Sequence, residues 1–288
     1  VYNNDSGAPG TVVQSDDELT SQQFLLFAQA DFDLPKEFYL TIGGSANFLK
    51  YDFLSLLTPV TEQQRKFDPV FSPRIALLKK ITPTFSVYGT VSKGFSPPTL
   101  AEVRPSAGTY NNSLNPERGV SIELGLRGGL FKDQMAFDIN VYDFQLDETI
   151  VIQRTADGAE YFVNAGKTSQ RGIEAQLSWL PDVRSKFIST FRLWTSYTYN
   201  HYRFTDYVQD GNDYSGNRLT GVAPTIALFG VDVTAQKIYF NVTANYTDAI
   251  PLNDANTEYA SEYFLLGGRL GYKSKLWTNV LVDIFGGV

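Results

Sequence analysis

Three charged side chains stand where their neighbours are apolar. Glu123 lies between Ile122 and Leu124, Arg127 follows Leu126, and Glu174 lies between Ile173 and Ala175. An acid or base flanked this way on a strand occupies the opposite face from the apolar set, because successive side chains point to opposite sides. Such groups pair with charges brought to them or stand in water. A second set sits in polar stretches. Glu102, Arg104, Tyr110, Asn111 and Asn112 lie in one, and Asp206, Tyr207, Asp210, Asp213, Tyr214 and Arg218 in another. Arginines there could hold anionic chelates through charge-assisted hydrogen bonds, with aromatic rings covering flat ligand faces. His201 is the only histidine, in Tyr199-Asn200-His201-Tyr202. One imidazole makes no metal site. Asp206, Asp210 and Asp213 could offer oxygen ligands to calcium, but their spacing matches no established loop. No catalytic residue, metal site or cofactor is expected. The lone histidine lacks a Ser/Asp context for a triad, and the glycine-rich pieces open no helix that could cradle a phosphate.

The elements that position these residues are strands. Met135, Phe137, Ile139 and Val141 alternate with Ala136, Asp138, Asn140 and Tyr142, and the same period runs through 24–32, 120–127, 172–179 and 238–246. About twelve strands are expected, at 22–33, 38–51, 71–79, 84–94, 119–130, 134–146, 169–180, 186–203, 222–235, 238–248, 260–273 and 276–288. Tight turns at 34–37, 80–83, 132–133, 181–184 and 236–237 take turns with long links at 52–70, 95–118, 147–167, 204–221 and 249–259; Asp157-Gly158 suggests a hairpin within the third link. No helix-period segment stands out. This layout is the signature of an all-β, transmembrane antiparallel barrel, with short turns toward the periplasm and long loops outside. A charge facing lipid at mid-bilayer costs roughly 2–4 kcal/mol. Glu123, Arg127, Glu174 and Gln176 therefore face the lumen, with Ile122, Leu124, Leu126, Ile173, Ala175 and Leu177 toward lipid.

Composition agrees. The 17 Tyr and 21 Phe suit aromatic girdles. A net charge of -7 without a basic run argues against nucleic acid. The absence of Cys excludes disulfides and thiolate zinc sites. No apolar run reaches the roughly 20 residues of a spanning helix. The opening Val1-Tyr2-Asn3-Asn4 and the closing Gly286-Gly287-Val288 read as an excerpt of a longer chain, and hence as part of one barrel domain over 1–288. A Tyr-rich soluble sandwich is the bland alternative.

Three stretches carry a resemblance: YGTVSKGFSPPTLAEV from Tyr88 to Val103, LNPERGVSIELGLRG from Leu114 to Gly128, and YFVNAGKTSQRGIEAQ from Tyr161 to Gln176. In order and spacing they resemble the barrel of TonB-dependent outer-membrane receptors. The resemblance implies a barrel of roughly 22 strands closed by a plug domain, of which this chain would hold the middle and later part without plug or terminal strands. It implies residence in the Gram-negative outer membrane, contact with membrane lipid, and energy delivered through TonB by an inner-membrane complex. It implies that Glu123 and Glu174, with Arg127 beside them, face the receptor's own plug and that the two carboxylates meet plug arginines. It implies import of a scarce nutrient, first a ferric siderophore or other iron chelate. Cobalamin, other metal chelates, glycans and peptides stay open, as does a passive porin or surface-binding barrel without a plug. Haem-uptake relatives carry a histidine between the motifs matching Phe95 to Pro98 and Asn115-Pro116, and this chain has none there. Ligand contacts are expected from Glu102, Arg104, Tyr110, Asn111, Asn112, His201, Tyr207, Tyr214 and Arg218.

Overall fold

A computed structural model describes residues 2–5, 8–105, 110–154, 159–164, 166–183, 185–209, 211–277 and 280–288. Asp210 and the Asp157-Gly158 pair lie outside the described residues. Twelve long strands form one continuous antiparallel sheet in which each pairs with its neighbours in sequence. They are β1 (Asp17–Leu34), β2 (Phe38–Ser55), β3 (Val70–Thr82), β4 (Phe85–Ser96), β5 (Glu117–Leu130), β6 (Met135–Asp147), β7 (Lys167–Trp179), β8 (Ile188–Asp206), β9 (Thr225–Ala235), β10 (Ile238–Thr247), β11 (Tyr263–Trp277) and β12 (Val280–Gly287). A thirteenth, Thr61–Lys66, pairs back onto the outer end of β2. Among the described residues the sheet does not close: β1 and β12 do not pair with each other, and each leaves an edge without a main-chain partner there. No helix among the described residues is long and apolar enough to cross a membrane, and it is strands that cross here.

Register fixes the two faces, because directly opposed residues point the same way. Leu40, Leu77, Gly89, Leu124, Val141, Ile173 and Tyr199 form one cross-strand row. Leu77, Leu124, Val141, Ile173 and Tyr199 of this row are exposed, Leu124 by 59%. The adjacent row runs Thr90, Glu123, Tyr142, Gly172, Asn200 and is polar. The first face belongs in hydrocarbon and the second in water.

Turn lengths alternate as the spacing requires. Several short turns hold non-glycine residues in the left-handed region: Lys36 and Glu37, then Phe131 to Asp133, then Gln236. That conformation follows the right-handed twist of the flanking strands. At the opposite end the loops carry their own pieces. Helix α1 (Leu100–Val103) is set by a capping box in which Thr99 and Glu102 bond reciprocally. Short hairpins pair Ile150–Arg154 with Glu160–Asn164 and Val208–Gln209 with Asn212–Asp213. The helix and the strand at Thr61–Lys66 depart from the sequence expectation of plain loops. The last strands also differ: β11 runs on through Lys273-Ser274-Lys275 to Trp277, since those residues pair with Asp283, Val282 and Leu281 rather than turning.

Candidate functional site: the inner wall and its mouth

At mid-height the inner face is a hydrogen-bonded wall in which rings lie on glycines. Tyr142 covers Gly172 on the next strand, and a Cβ there would collide with its hydroxyl end. The same hydroxyl bonds Asn200 Oδ1 at 3.0 Å and meets Tyr202 Oη at 2.9 Å on β8. Tyr88 covers Gly125 and donates to Asp138 Oδ1 at 3.2 Å. Trp194 covers Gly230 and donates to Asp232 Oδ2 at 3.2 Å. Tyr239 covers Gly271 and donates to Asp283 Oδ1 at 3.0 Å. Glycine is what the position requires, because the ring must lie flat against the backbone before its polar tip can reach onward. Each ring thus fastens two or three strands while holding its bulk against the wall. Cations are held similarly. Arg127 lies 5.6 Å over the Tyr88 ring, and Arg269 packs on Tyr239 and Phe285.

Glu123 and Glu174 project from this wall. Ser121 Oγ lies 3.2 Å from Glu123 Oε1, and Tyr142 is the direct cross-strand neighbour of Glu123. Glu174 opposes Asn140 and Thr198. Neither has a basic partner within ion-pair distance among the described residues. Arg74 on β3 shares this face, opposite Gly43 and Ser92, and is likewise unpaired. Sequence reasoning passed over it, although its place between outward Pro73 and Ile75 was readable.

At the outer end the same face becomes apolar and covered. Leu49, Tyr51 and Phe53 of β2 share the parity of Thr41 and Glu123, and they bury against Phe67, Val103, Tyr110 and Leu114. Tyr110 stacks on Phe53 with ring centroids 4.8 Å apart, and burial pushes its phenol pKa up. Tyr207 is fully buried between Phe204 and Tyr214 and bonds Gln209 and Asp254.

A match to the family described as TonB dependent receptor-like, beta-barrel spans residues 1–288. The chain belongs to the TonB-dependent receptor β-barrel family. The iron-regulated outer membrane virulence protein of Vibrio cholerae is 26% identical over 211 residues, which covers 66% of this chain and 29% of that protein. Among solved structures, the siderophore receptor PiuA from Acinetobacter baumannii matches with TM-score 0.74 at 17% identity, over 93% of this chain and 39% of its own. The ferric citrate transporter FecA in its unliganded form matches with TM-score 0.78 at 16% identity, over 98% and 42%. The receptor barrel thus spans well under half the length of each. The family is one of outer-membrane receptors rather than enzymes, and membership places the barrel in the outer membrane of Gram-negative bacteria.

Within this receptor barrel the ligand candidates separate. Glu102 completes the cap of α1. Arg104 is tied to Asp17, Nε to Oδ2 at 2.7 Å, in a half-buried pair. Asn111 Nδ2 donates to Phe162 O at 2.7 Å, joining the second long loop to the third. With Tyr110 and Tyr207, these residues shape the mouth. Asn112 is exposed, and Tyr214 half-buried. His201 and Arg218 are brought together, but elsewhere. His201 opposes Arg171 and shares the parity of Tyr199, and Arg218 bridges Arg203. Both line a cavity on the outward side of β8. Counting residue by residue from Tyr199 would have found this. Asp213 is engaged by Ser215, whose hydrogen bonds hold its carboxyl below the usual range. No group of three or more potential metal ligands occurs among the described residues.

Proposed function

We propose that this barrel is the wall of an outer-membrane receptor that imports a ferric siderophore or another iron chelate, with energy delivered through TonB. The observation that carries the proposal is the match of the whole chain to the receptor-barrel family. The likeness to an iron-regulated outer membrane protein supports iron as the cargo. In this reading Glu123 and Glu174 pair with arginines of the receptor's plug, and Arg127, held over Tyr88, fixes the wall beside them. Their projection into the lumen without basic partners supports it. Glu174 is exposed and Glu123 half-buried in this chain, so both stand open to a complementary basic plug surface. Ligand first meets the exposed loop tips, including Asn112 and the Tyr214 turn. The two open sheet edges support further strands completing the wall, since unpaired edges are not tolerated in hydrocarbon.

The test is growth and labelled uptake by a strain deleted for the gene, supplied with single iron sources. Selective loss of uptake of one ferric chelate is the expected result. Undiminished uptake of every source rejects the iron assignment.

A further inference from the structure

The fifth long loop holds the fourth, and it can do so because it is ordered by itself. Ile250–Pro251 pairs with Tyr259–Ala260, and Leu252 N donates to Glu258 O at 2.8 Å. The Asn253 side chain bonds Thr257 twice, at 2.8 and 3.0 Å. The tip built in this way presents Asp254 and Asn256 to the fourth loop. Asp254 Oδ2 accepts from Tyr207 Oη at 3.2 Å, its Oδ1 accepts from Thr220 Oγ1, and its main-chain oxygen accepts from Asn217 Nδ2 at 2.8 Å. Asn256 Oδ1 accepts from Arg218 N at 2.7 Å, and its Nδ2 donates to Arg218 O at 3.0 Å. Gly221 N donates to Pro251 O at 2.9 Å, and Pro251 is fully buried. The fourth loop is seated differently from the second. Among the described residues none of 204–221 enters the apolar cluster that holds Val103, Tyr110 and Leu114. Its own buried anchor is Tyr207, whose ring lies between Phe204 and Tyr214 and whose main-chain oxygen accepts from Tyr214 N at 2.8 Å. The hydroxyl of that anchor is one of the groups that Asp254 holds.

We infer that Asp254 is a positioning residue for ligand capture. Through Tyr207, Asn217 and Thr220 it sets the fourth loop, and the Tyr214 turn that this loop carries, in the conformation that binds. The inference rests on the reading of this chain as part of an iron-chelate receptor. A loop that is already in place binds without the cost of ordering itself on the ligand. Where only a fraction of molecules holds the competent conformation, apparent affinity falls in proportion to that fraction. A carboxylate that accepts from two hydroxyls on different parts of the fourth loop fixes that fraction from outside the loop. The two loops thereby become one capture unit, with the fifth as its frame and the fourth as its contact surface.

The experiment uses the full-length receptor and has two arms. Hydrogen exchange is followed on the purified protein in detergent. Uptake of radioiron, supplied as ferric citrate, a ferric hydroxamate or a ferric catecholate, is followed in the deletion strain carrying each variant. Asp254→Leu is expected to speed exchange over 211–221 by roughly tenfold, while the second and third loops keep the parent rate. It is expected to raise KM for the imported chelate by a similar factor with Vmax unchanged, as loss of a preformed binding conformation requires. Tyr207→Phe removes a single bond to Asp254 from a side chain too buried to touch ligand. It is expected to move both readings the same way by roughly fivefold, and it keeps the test decisive if Asp254→Leu fails to fold. Exchange at the parent rate in both variants overturns the inference. Faster exchange with an unchanged KM, for a chelate that the parent imports, also overturns it and leaves the receptor reading standing. A parent that imports none of the three chelates overturns the receptor reading, and the capture role with it.

Discussion

The inner face of the sheet is built in two ways, and the contrast between its mouth and its middle separates architecture from function. At the mouth, inward residues are apolar and buried: Tyr51 and Phe53 lie under Val103, Tyr110 and Leu114. At mid-height the same parity carries Glu123, Tyr142, Asn200 and Asp232, half-buried and bonded along the wall. The mouth is covered by its own loops and owes its order to packing. The middle is ordered by hydrogen bonds yet presents Glu123 and Glu174 without a basic partner among the described residues. Removing a residue at the mouth should therefore cost stability, and removing an acid from the middle should cost contact with whatever fills the lumen.

That contrast can be broken most forcefully at the mouth. Tyr207→Ala empties a fully buried site and should destabilise the fourth long loop by about 3–5 kcal/mol, seen as rapid proteolysis within 207–224 while the strands stay protected. Proteolysis unchanged from the parent would mean that packing does not hold the mouth. At mid-height, Gly230→Leu forces Trp194 off the wall and should cost about 1–3 kcal/mol, read as a lower midpoint of barrel unfolding in detergent. Thr99→Ala removes one arm of the capping box and should cost about 1 kcal/mol, confined to hydrogen exchange around α1. The smallest stability effect sharpens the comparison most. Glu123→Gln with Glu174→Gln should leave barrel unfolding within about 0.5 kcal/mol of the parent, yet loosen the plug of the full-length receptor against urea. Plug release unchanged from the parent would remove the role assigned to these acids.

Much of this architecture was legible because two-residue periodicity is a strong signal. The strands of residues 119–130 and 134–146 came within two residues of β5 and β6, and Glu123 and Glu174 fell on the inner face, as parity required. What escaped is what parity does not encode. It shows which side a residue faces but not what covers that side, so the stacking of Tyr110, expected among the ligand contacts, on Phe53 was not readable. The capping pair Thr99 and Glu102 was a readable helix signal, set in a Pro-rich stretch that looked like plain loop. His201 read as part of the mouth because it lies near a strand end. Its odd position beside Tyr199 turns it outward. The rings over Gly172 and Gly230 join residues on separate strands, which only register reveals.

The central claim is that adjacent residues on these strands meet different solvents, and the absence of cysteine from this chain makes a direct measurement practical. Spin labels are placed by Leu124→Cys and, separately, by Glu123→Cys in the full-length receptor in bilayers, and their collisions with dissolved oxygen and with a water-soluble nickel chelate are compared. The label at 124 should favour oxygen strongly and the label at 123 should not. Equal oxygen preference at the two sites, or the reverse order, would contradict the assignment of faces.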